Sequence, residues 1–522
     1  MSLLRKASIV TTPTSYENGK ILSVKPSIVL GNELVTNGDF ATDSDWTKGT
    51  GWSISGGKAI YTGTTNSDLA QSGILTSGKS YKLEYEVVSS TLVNGIVKLS
   101  GASASAQNLL PQTTGVHSLN FIANGTAPTS FNIRIVINTS GQFKIDNVSV
   151  KELIDADFDF TRNSSATRVN SQGLIEDITS NLPRIDYTGG AGHWLFEPQS
   201  TNLIPYSEDF TQSTWGKQSG GVASAPVVTS NYSISPDGTL NADRVVLNVN
   251  GGTTSSDFSQ LAESVTSNVG DVTNSVWLKS NTSSNYDMTF VNALGSTISI
   301  AVTTEWKRFI LTSTTTTTSS VFKLRLRGSE STSDFADVSV WGAQIEEQSF
   351  ATSYIPTSGA ISTRLQDAAF GAGSSDLINS TEGVLYAEIA ALANDQSNRR
   401  ITISDGTNTN RIVTGYNTTS NQIFYFVVVG GSTVASGNYT SSDITQYSKI
   451  AIKFKANDFA LWVDGIERHT DTSGAIFNAD TLSSLQLQQG SGGALYFFGK
   501  TKCVAVFKEA LTDAELTCLT TI

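Results

Sequence analysis

The chain has 522 residues, a length that suits about three to four domains, and a segment of roughly 150 residues can hold its own core by burying about two-thirds of its unfolded surface. Hydrophobic residues make up 38% and charged residues 15%, and the abundance of Ser, Thr, Asn and Gly favours short strands with polar outer faces over helices. A net charge of −12 with a pI near 4.8 argues against non-specific attraction to nucleic acid or anionic lipid, and no apolar run approaches the roughly 20 residues that span a bilayer. The N-terminus lacks the apolar stretch of a secretory signal, so synthesis in a cytoplasm is expected. Cys503 and Cys518 cannot make a disulfide framework and are expected to be reduced, buried small hydrophobes.

Residues 1–30 mix Thr, Pro and Lys with short apolar pieces, Ala7-Ser-Ile-Val10 and Lys20-Ile-Leu-Ser-Val24. Arg5, Lys6, Lys20 and Lys25 against Glu17 give 4 − 1 = +3, which leaves −12 − 3 = −15 for the remainder. A basic end on an acidic body reads as an attachment segment that offers strands or an extended arm to a partner. Residues 31–153 alternate clearly in Tyr81-Lys-Leu83-Glu-Tyr85-Glu-Val87 and His117-Ser-Leu119-Asn-Phe121, with Gly56-Gly57 and Asn124-Gly125 as turns. About eight short strands are expected there, enough for a two-sheet jelly roll.

Residues 154–199 form a connector with its own pattern, Phe158-x-Phe160-x-Arg162-x-Ser164-x-Ala166-Thr167-Arg168, then Gly173-Leu-Ile-Glu-Asp177 and Leu182-Pro-Arg184-Ile-Asp186. Asp155, Asp157 and Asp159 alternating with Phe158 and Phe160 suggest a strand with a wet acidic face. A calcium loop is excluded because Phe160 replaces the required Gly and Ala166 the closing Glu. Residues 200–350 form a second module containing Trp306-Lys-Arg-Phe309-Ile and the tract Thr314 to Thr318, expected as an exposed strand or strand end. Residues 351–367 read as a linker with Tyr354-Ile-Pro356 and Gly359. In residues 368–522, strands are expected at Val384–Ile389, Ile423–Val429, Lys449–Phe454 and Phe459–Val463, with Asp464-Gly465 as a hairpin turn and Thr512 with Glu515 as the capping box of one short helix.

One pattern occurs twice. Asn32-Glu-Leu34-Val-Thr-Asn-Gly-Asp39-Phe40, followed by Trp46, corresponds to Asn202-Leu203-Ile-Pro-Tyr-Ser-Glu-Asp209-Phe210, followed by Trp215, and 40 − 32 = 210 − 202 = 8. The closing motifs Ile145-Asp146-Asn147-Val-Ser-Val150 and Phe335-Ala336-Asp337-Val-Ser-Val340 also match, as do the preceding strands Phe131-x-Ile133-Arg134-Ile135 and Phe322-x-Leu324-Arg325-Leu326.

These motifs resemble carbohydrate-binding modules of the jelly-roll type over 32–152 and, less strongly, over 202–347. Residues 384–516, through Phe459-Ala-Leu-Trp-Val-Asp-Gly465 and Val504-Ala-Val-Phe…Leu-Thr-Asp-Ala-Glu515, resemble concanavalin-A-like domains of the laminin-G group. Leu3-Leu4-x-Lys6-Ala7-Ser8 with Pro13, Tyr16, Gly19-Lys20 and Ser23-Val24-Lys25-Pro26, taken with the Phe158–Arg168 connector, is similar to virion fibre and decoration proteins of tailed bacteriophages. The nearest kind is carried by marine and gut phages of Bacteroidetes, including the crAss-like group. That likeness implies a fibre held to capsid or tail by its N-terminus, a homo-oligomer of trimeric form, and a virion location after assembly in a host cytoplasm.

Sugar binding uses aromatic faces helped by amides and carboxylates. Trp52, flanked by Gly51 and Ser53, is the first candidate platform; Trp46 and Trp215 either serve as platforms or close the sandwich cores, and Trp462 is expected in a core. The jelly-roll resemblance implies a structural calcium ion with Asp39 and Asp146 as ligands, and Asp209 and Asp337 as the second-copy equivalents. Ala41 departs from the acidic residue that commonly follows Phe40, so backbone carbonyls would have to compensate.

No catalytic set emerges. The Glu-x-Asp-x-x-Glu run of concanavalin-like glycanases is absent, and His117, His193 and His469 lie apart, expected as surface or turn residues. The resulting expectation is an elongated, all-β modular chain: tandem jelly-roll sandwiches and a concanavalin-like sandwich. It anchors to virion proteins through 1–30, presents host cell-surface glycan sites, and is not an enzyme. Alternatives are a virion-associated glycanase and a purely architectural decoration protein.

Overall fold

The computed structural model describes residues 3–26, 29–77, 79–99, 109–123, 129–136, 140–292, 295–330 and 332–521. It is nearly all β, with 53% of residues in strands and 3% in helix. The chain divides into two compact units: one is Pro26–Asp155, and the other combines the residues up to Lys25 with those from Ala156 onward.

The first unit is a sandwich of two antiparallel sheets. One sheet runs in the order Ile96–Leu99, Thr129–Val136, Ser67–Leu75, Thr47–Lys48; the other runs Gly115–Ile122, Ser80–Ser90, Gln142–Ile154, Ala59–Thr62, Trp52–Ile54. Ser80–Ser90 shows why: Tyr81, Leu83, Tyr85 and Val87 are buried while the intervening Lys82, Glu84 and Glu86 face outward, the period-2 pattern of a half-buried strand. Gly38 in the opening motif is required by a close approach, since a Cβ there would lie 2.0 Å from the Val148 carbonyl oxygen. Every Phe, Tyr and Trp of this unit is buried.

The second unit holds two further sandwiches. In residues 200–350 one sheet runs Gly216–Gly220, Phe258–Thr266, Ser319–Arg327, Tyr286–Val291, Thr297–Val302, and the facing one runs Ser224–Ile234, Leu240–Asn248, Phe335–Glu346, Gly270–Ser280, Lys307–Thr315. The C-terminal sandwich packs a sheet built on Glu382–Ala391, Ser448–Lys455, Phe459–Val463 and Gly499–Phe507 against a five-stranded one that includes Gln422–Val429. Its local signals behave as expected. Asp464 and Gly465 both take positive φ, 51° and 79°, as a two-residue hairpin turn between Phe459–Val463 and Ile466–Asp471 requires. Thr512 and Glu515 cap the helix Asp513–Thr520 reciprocally.

Three segments expected to lie between modules are instead woven into this unit. Ile9–Thr11 pairs with Gly499–Phe507, and His193–Phe196 pairs with the same strand further along. A small sheet joins Tyr16–Glu17, Lys20–Ile21, Phe158–Thr161 and Ala368–Phe370, while Ser362–Arg364 pairs with Ser200–Asn202. The basic residues of the N-terminal segment also serve within the chain: Lys6 bonds Glu515, and Lys25 Nζ donates to the carbonyls of Arg5 and Ala7. The reading of 1–30 as an arm free for a partner is therefore corrected over residues 3–25, because an apolar strand beside an open sheet edge pairs with it. The 351–367 linker is corrected too, since Arg364 and Asp367 are both 1% exposed.

The chain leaves this unit after Lys25 and returns at Ala156. The two points are neighbours, as the Ser23 amide donates to Asp157 at 2.7 Å. The first jelly roll is thus an insertion in a connection of the second unit.

Candidate functional site

The aromatic residues singled out in the sequence are buried. Trp46 is 6% exposed, donates through Nε1 to the Asn37 carbonyl at 3.0 Å, and packs against Phe40 and Phe131. Trp215 is 1% exposed, donates to the Tyr206 carbonyl at 2.9 Å, and packs against Phe210 and Phe322. Trp52 lies beneath the surface against Tyr61. All three are corrected as sugar platforms, because an indole enclosed in a sandwich core has no face left to stack on a ring. Trp462 is buried in the C-terminal cluster with Leu511 and Leu516.

The proposed calcium ligands are otherwise engaged. Asp146 faces Lys58 Nζ at 3.3 Å, and its counterpart Asp337 accepts from Arg244 Nε at 2.8 Å. Asp39 and Asp209 cap their own turns by accepting the amides of Ala41 and Thr211. The residues present do not fit a calcium ion, since a basic side chain already stands against each closing-motif carboxylate. Among the described residues no group of three or more His, Cys, Asp or Glu converges. His193 is buried and Cys518 exposed, both contrary to expectation; burial pushes the Cys503 thiol up to about 12.

The polar centre of the second unit is a buried charge network. Arg162 Nη1 bonds Asp367 at 3.1 Å, Arg184 bridges Asp367 at 2.5 Å and Glu197 at 2.7 Å, and Arg364 reaches Glu197 at 3.0 Å. Glu346 accepts from Ser200 at 2.7 Å and from Thr352. Burial alone would push Glu197 up, but Arg364 and Arg184 hold its carboxyl down at about 2. Such pairs cost desolvation, and losing one partner strands the other charge.

Beside this network opens a cleft of about 680 Å³. Its walls come from the connector hairpin (Arg168, Leu174, Ile175), the outer face of the second module (Trp277, Lys279, Trp306, Arg308), the Ala351–Tyr354 stretch, and Lys500 of the C-terminal sandwich. Trp277 and Arg308 are register partners on adjacent strands, and the guanidinium lies 4.3 Å from the indole centroid. Lys279 Nζ sits 5.4 Å from the Trp306 ring. Both tryptophans are half-buried; Trp306 is fixed by its Nε1 bond to the Ile234 carbonyl at 3.0 Å, and Trp277 by edge contacts with Trp341 and Tyr354. The cleft thus combines two held aromatic rings with apolar, hydroxyl and charged side chains, the composition of a small-molecule site.

Residues 385–517 match the family model described as the concanavalin A-like lectin/glucanases superfamily, of the laminin-G type. They form a concanavalin A-like domain. No curated protein matches the chain. Among solved structures, a sialidase carbohydrate-binding module of Ruminococcus gnavus, bound to α2,3-sialyllactose, is similar at 14% identity over 29% of this chain and 93% of its own, with a TM-score of 0.25. A tandem pair of family 22 carbohydrate-binding modules from a Paenibacillus barcinonensis protein covers 61% of this chain and 98% of its own, at 12% identity and TM-score 0.21. The leech intramolecular trans-sialidase covers 29% of this chain and 26% of its own, at 15% identity and TM-score 0.25. The similar structures thus include both carbohydrate-binding modules and sialidase chains.

None of the cleft residues that carry binding chemistry is among the sequence-derived candidates. One signal was available: Trp277-x-Lys279 and Trp306-x-Arg308 share an i, i+2 spacing, which in extended backbone sets the two members of each pair on the same side. That Trp277 and Arg308 adjoin, and that Lys500 of the concanavalin A-like domain lines the same cleft, required the tertiary fold.

Proposed function

We propose that the protein is a glycan-binding protein without catalytic activity, that the cleft beside Trp277 and Trp306 receives the sugar, and that the protein serves on a virion as a fibre or decoration protein. The observation that carries the binding reading is the pair of half-buried, immobilised indoles bordering a polar cleft. A sugar ring laid on partly covered indole faces buries little area, so single sites are weak and copies on one particle act through avidity. The glycanase alternative is disfavoured in this cleft. Glycoside hydrolysis needs a carboxylic acid poised to donate a proton, whereas Glu197 is held ionised by two arginines.

The test is calorimetric titration of the full chain with a panel of oligosaccharides. Trp306→Ala is expected to weaken binding about tenfold while leaving the melting profile unchanged. Affinities indifferent to both Trp306→Ala and Trp277→Ala would remove the cleft as the site, and sustained release of reducing ends from a bound polysaccharide would overturn the non-catalytic reading. The virion role draws on the motif likeness at the N-terminus and connector. An antibody to this chain that fails to label purified particles would overturn it.

A further inference from the structure

The charges around the cleft do not balance. In the buried network four guanidinium groups, Arg162, Arg184, Arg364 and Arg308, share three carboxylates, Asp367, Glu197 and Glu346. Among the described residues Arg308 is the one of the four that makes no ion pair. Its Nη1 donates to the Thr352 carbonyl at 2.7 Å and its Nη2 to the Ser275 hydroxyl at 2.8 Å, both neutral acceptors, and its Nε is enclosed without a partner. Glu346 and Glu197 act on it only through space, and burial pushes its guanidinium down. It stays charged nonetheless, because arginine does not deprotonate in proteins.

Two further cations line the same space. Lys279 has the Trp306 ring for a neighbour, and among the described residues neither Lys279 nor Lys500 has a carboxylate within ion-pair distance. The carboxylates of the walls are used up: Glu197 by Arg184 and Arg364, and Asp186 by the amides of Val169 and Thr188 with His193 at 3.5 Å. Arg168, on the connector wall, is paired with Glu176. Among the residues that line the cleft, four cations, Arg168, Lys279, Arg308 and Lys500, stand against two carboxylates, Asp186 and Glu197, in a chain of net charge −12.

We propose that the cleft selects an acidic glycan, with a sugar carboxylate received by Arg308 and flanked by Lys279 and Lys500. The inference rests on the glycan-binding reading and narrows its ligand class. A guanidinium has five N–H donors, of which two are engaged here, and its plane is already fixed by stacking on Trp277. A planar carboxylate matches such a fork, and the charge-assisted bonds form where solvent is partly excluded. Trp306 then borders the ring while the cations hold the acid.

The experiment titrates the full-length protein with oligogalacturonate, oligomannuronate and sialyllactose, each beside its carboxyl-reduced counterpart, and with a sulfated neutral oligosaccharide. At least one carboxylated probe is expected to bind about tenfold or more tightly than its reduced form, with affinity falling as salt rises from about 50 to about 500 mM. Lys279→Gln and Lys500→Gln, both partly exposed changes, are each expected to lower that affinity roughly three- to tenfold and to affect binding of the reduced form less, so that the ratio between the two forms narrows. Arg308→Lys, which keeps the charge and removes the fork, is expected to lower it further. If Arg308→Lys does not fold, the two lysine variants decide the outcome alone.

Equal, Trp306-dependent binding of carboxylated and reduced probes would overturn the acidic selectivity and leave the glycan reading standing. Binding of the sulfated probe alone would overturn the carboxylate assignment. Silence toward every acidic and neutral probe would overturn both readings, and carboxylate binding indifferent to the lysine substitutions would place the acid elsewhere.

Discussion

In residues 26–155 every aromatic side chain is buried, whereas in residues 200–350 Trp277 and Trp306 remain half-buried at the border of a cleft. Both modules nevertheless open with one device. An indole nine residues after a carbonyl donates to it, Trp46 to Asn37 and Trp215 to Tyr206, and a phenylalanine closes on the ring at 5.3 and 4.8 Å respectively. Both also close alike, with Asp146 and Asp337 each holding a basic side chain. The duplicated motifs are therefore the means of sealing a sandwich, and they say nothing of what its outer face does. That face differs. In the first module it carries paired charges such as Lys82 with Glu84 and Lys79 with Glu152, and in the second it carries two aromatic–cation pairs partly roofed by the connector.

The comparison can be broken most severely at the charge network, which among the described residues only the second unit has. Arg184→Ala strands Glu197 and Asp367 and is expected to cost on the order of 5 kcal/mol, lowering the thermal transition of the second unit and sparing that of residues 26–155 in a calorimetric scan. Equivalent roles for the two tryptophans predict that Trp46→Ala and Trp215→Ala each remove about 3–4 kcal/mol from its own unit, read by denaturant titration. A loss confined to one of them would show that the shared motif seals only one core.

Acid sharpens the distinction. Glu197 lies near 2 in the fold against an ordinary value of 4.5, so its contribution is present above about pH 4.5 and is lost as pH falls through about 2. At about 1.4 kcal/mol per unit the loss is on the order of 3 kcal/mol, seen as an acid-side decline in the stability of the second unit that Glu197→Gln flattens. The smallest effect is expected from the insertion. Replacing residues 26–155 with a short Gly-Ser turn joins two neighbouring points, and should leave the second unit folded and its glycan affinity changed by less than about twofold, since a loop-length change costs only tenths of a kcal/mol to about 1. Loss of binding on excision would transfer part of the function to the first module.

What was legible in the chain was local. Alternation in Tyr81–Val87, the Asp464-Gly465 turn and the Thr512–Glu515 box depend on residues a few positions apart, and each takes the form their chemistry dictates. The connector motif was visible as Phe158 to Arg168 with Arg184 and Asp186, but its arginines look like surface residues until their carboxylates are known. Arg162 and Arg184 meet Asp367 across 205 and 183 positions. Trp52 was misplaced because a tryptophan on a strand has two faces to choose from, and its neighbours in sequence do not reveal which sheet lies opposite; for Trp46 and Trp215 the same ignorance left platform and core both open until the fold enclosed both.

By itself the amino-acid order determined the class of fold, the two copies of a sealing motif, and the turns, because strand periodicity and turn preferences act over two to five residues. Only the tertiary structure decided that the N-terminal segment completes a distant sheet edge, that one sandwich is an insertion, and that three unpaired cations share a cleft with two indoles. Those outcomes depend on which edges remain open and which charges find partners, and such pairings are settled between residues far apart along the chain, where burial makes an unmet bond or charge too costly to leave.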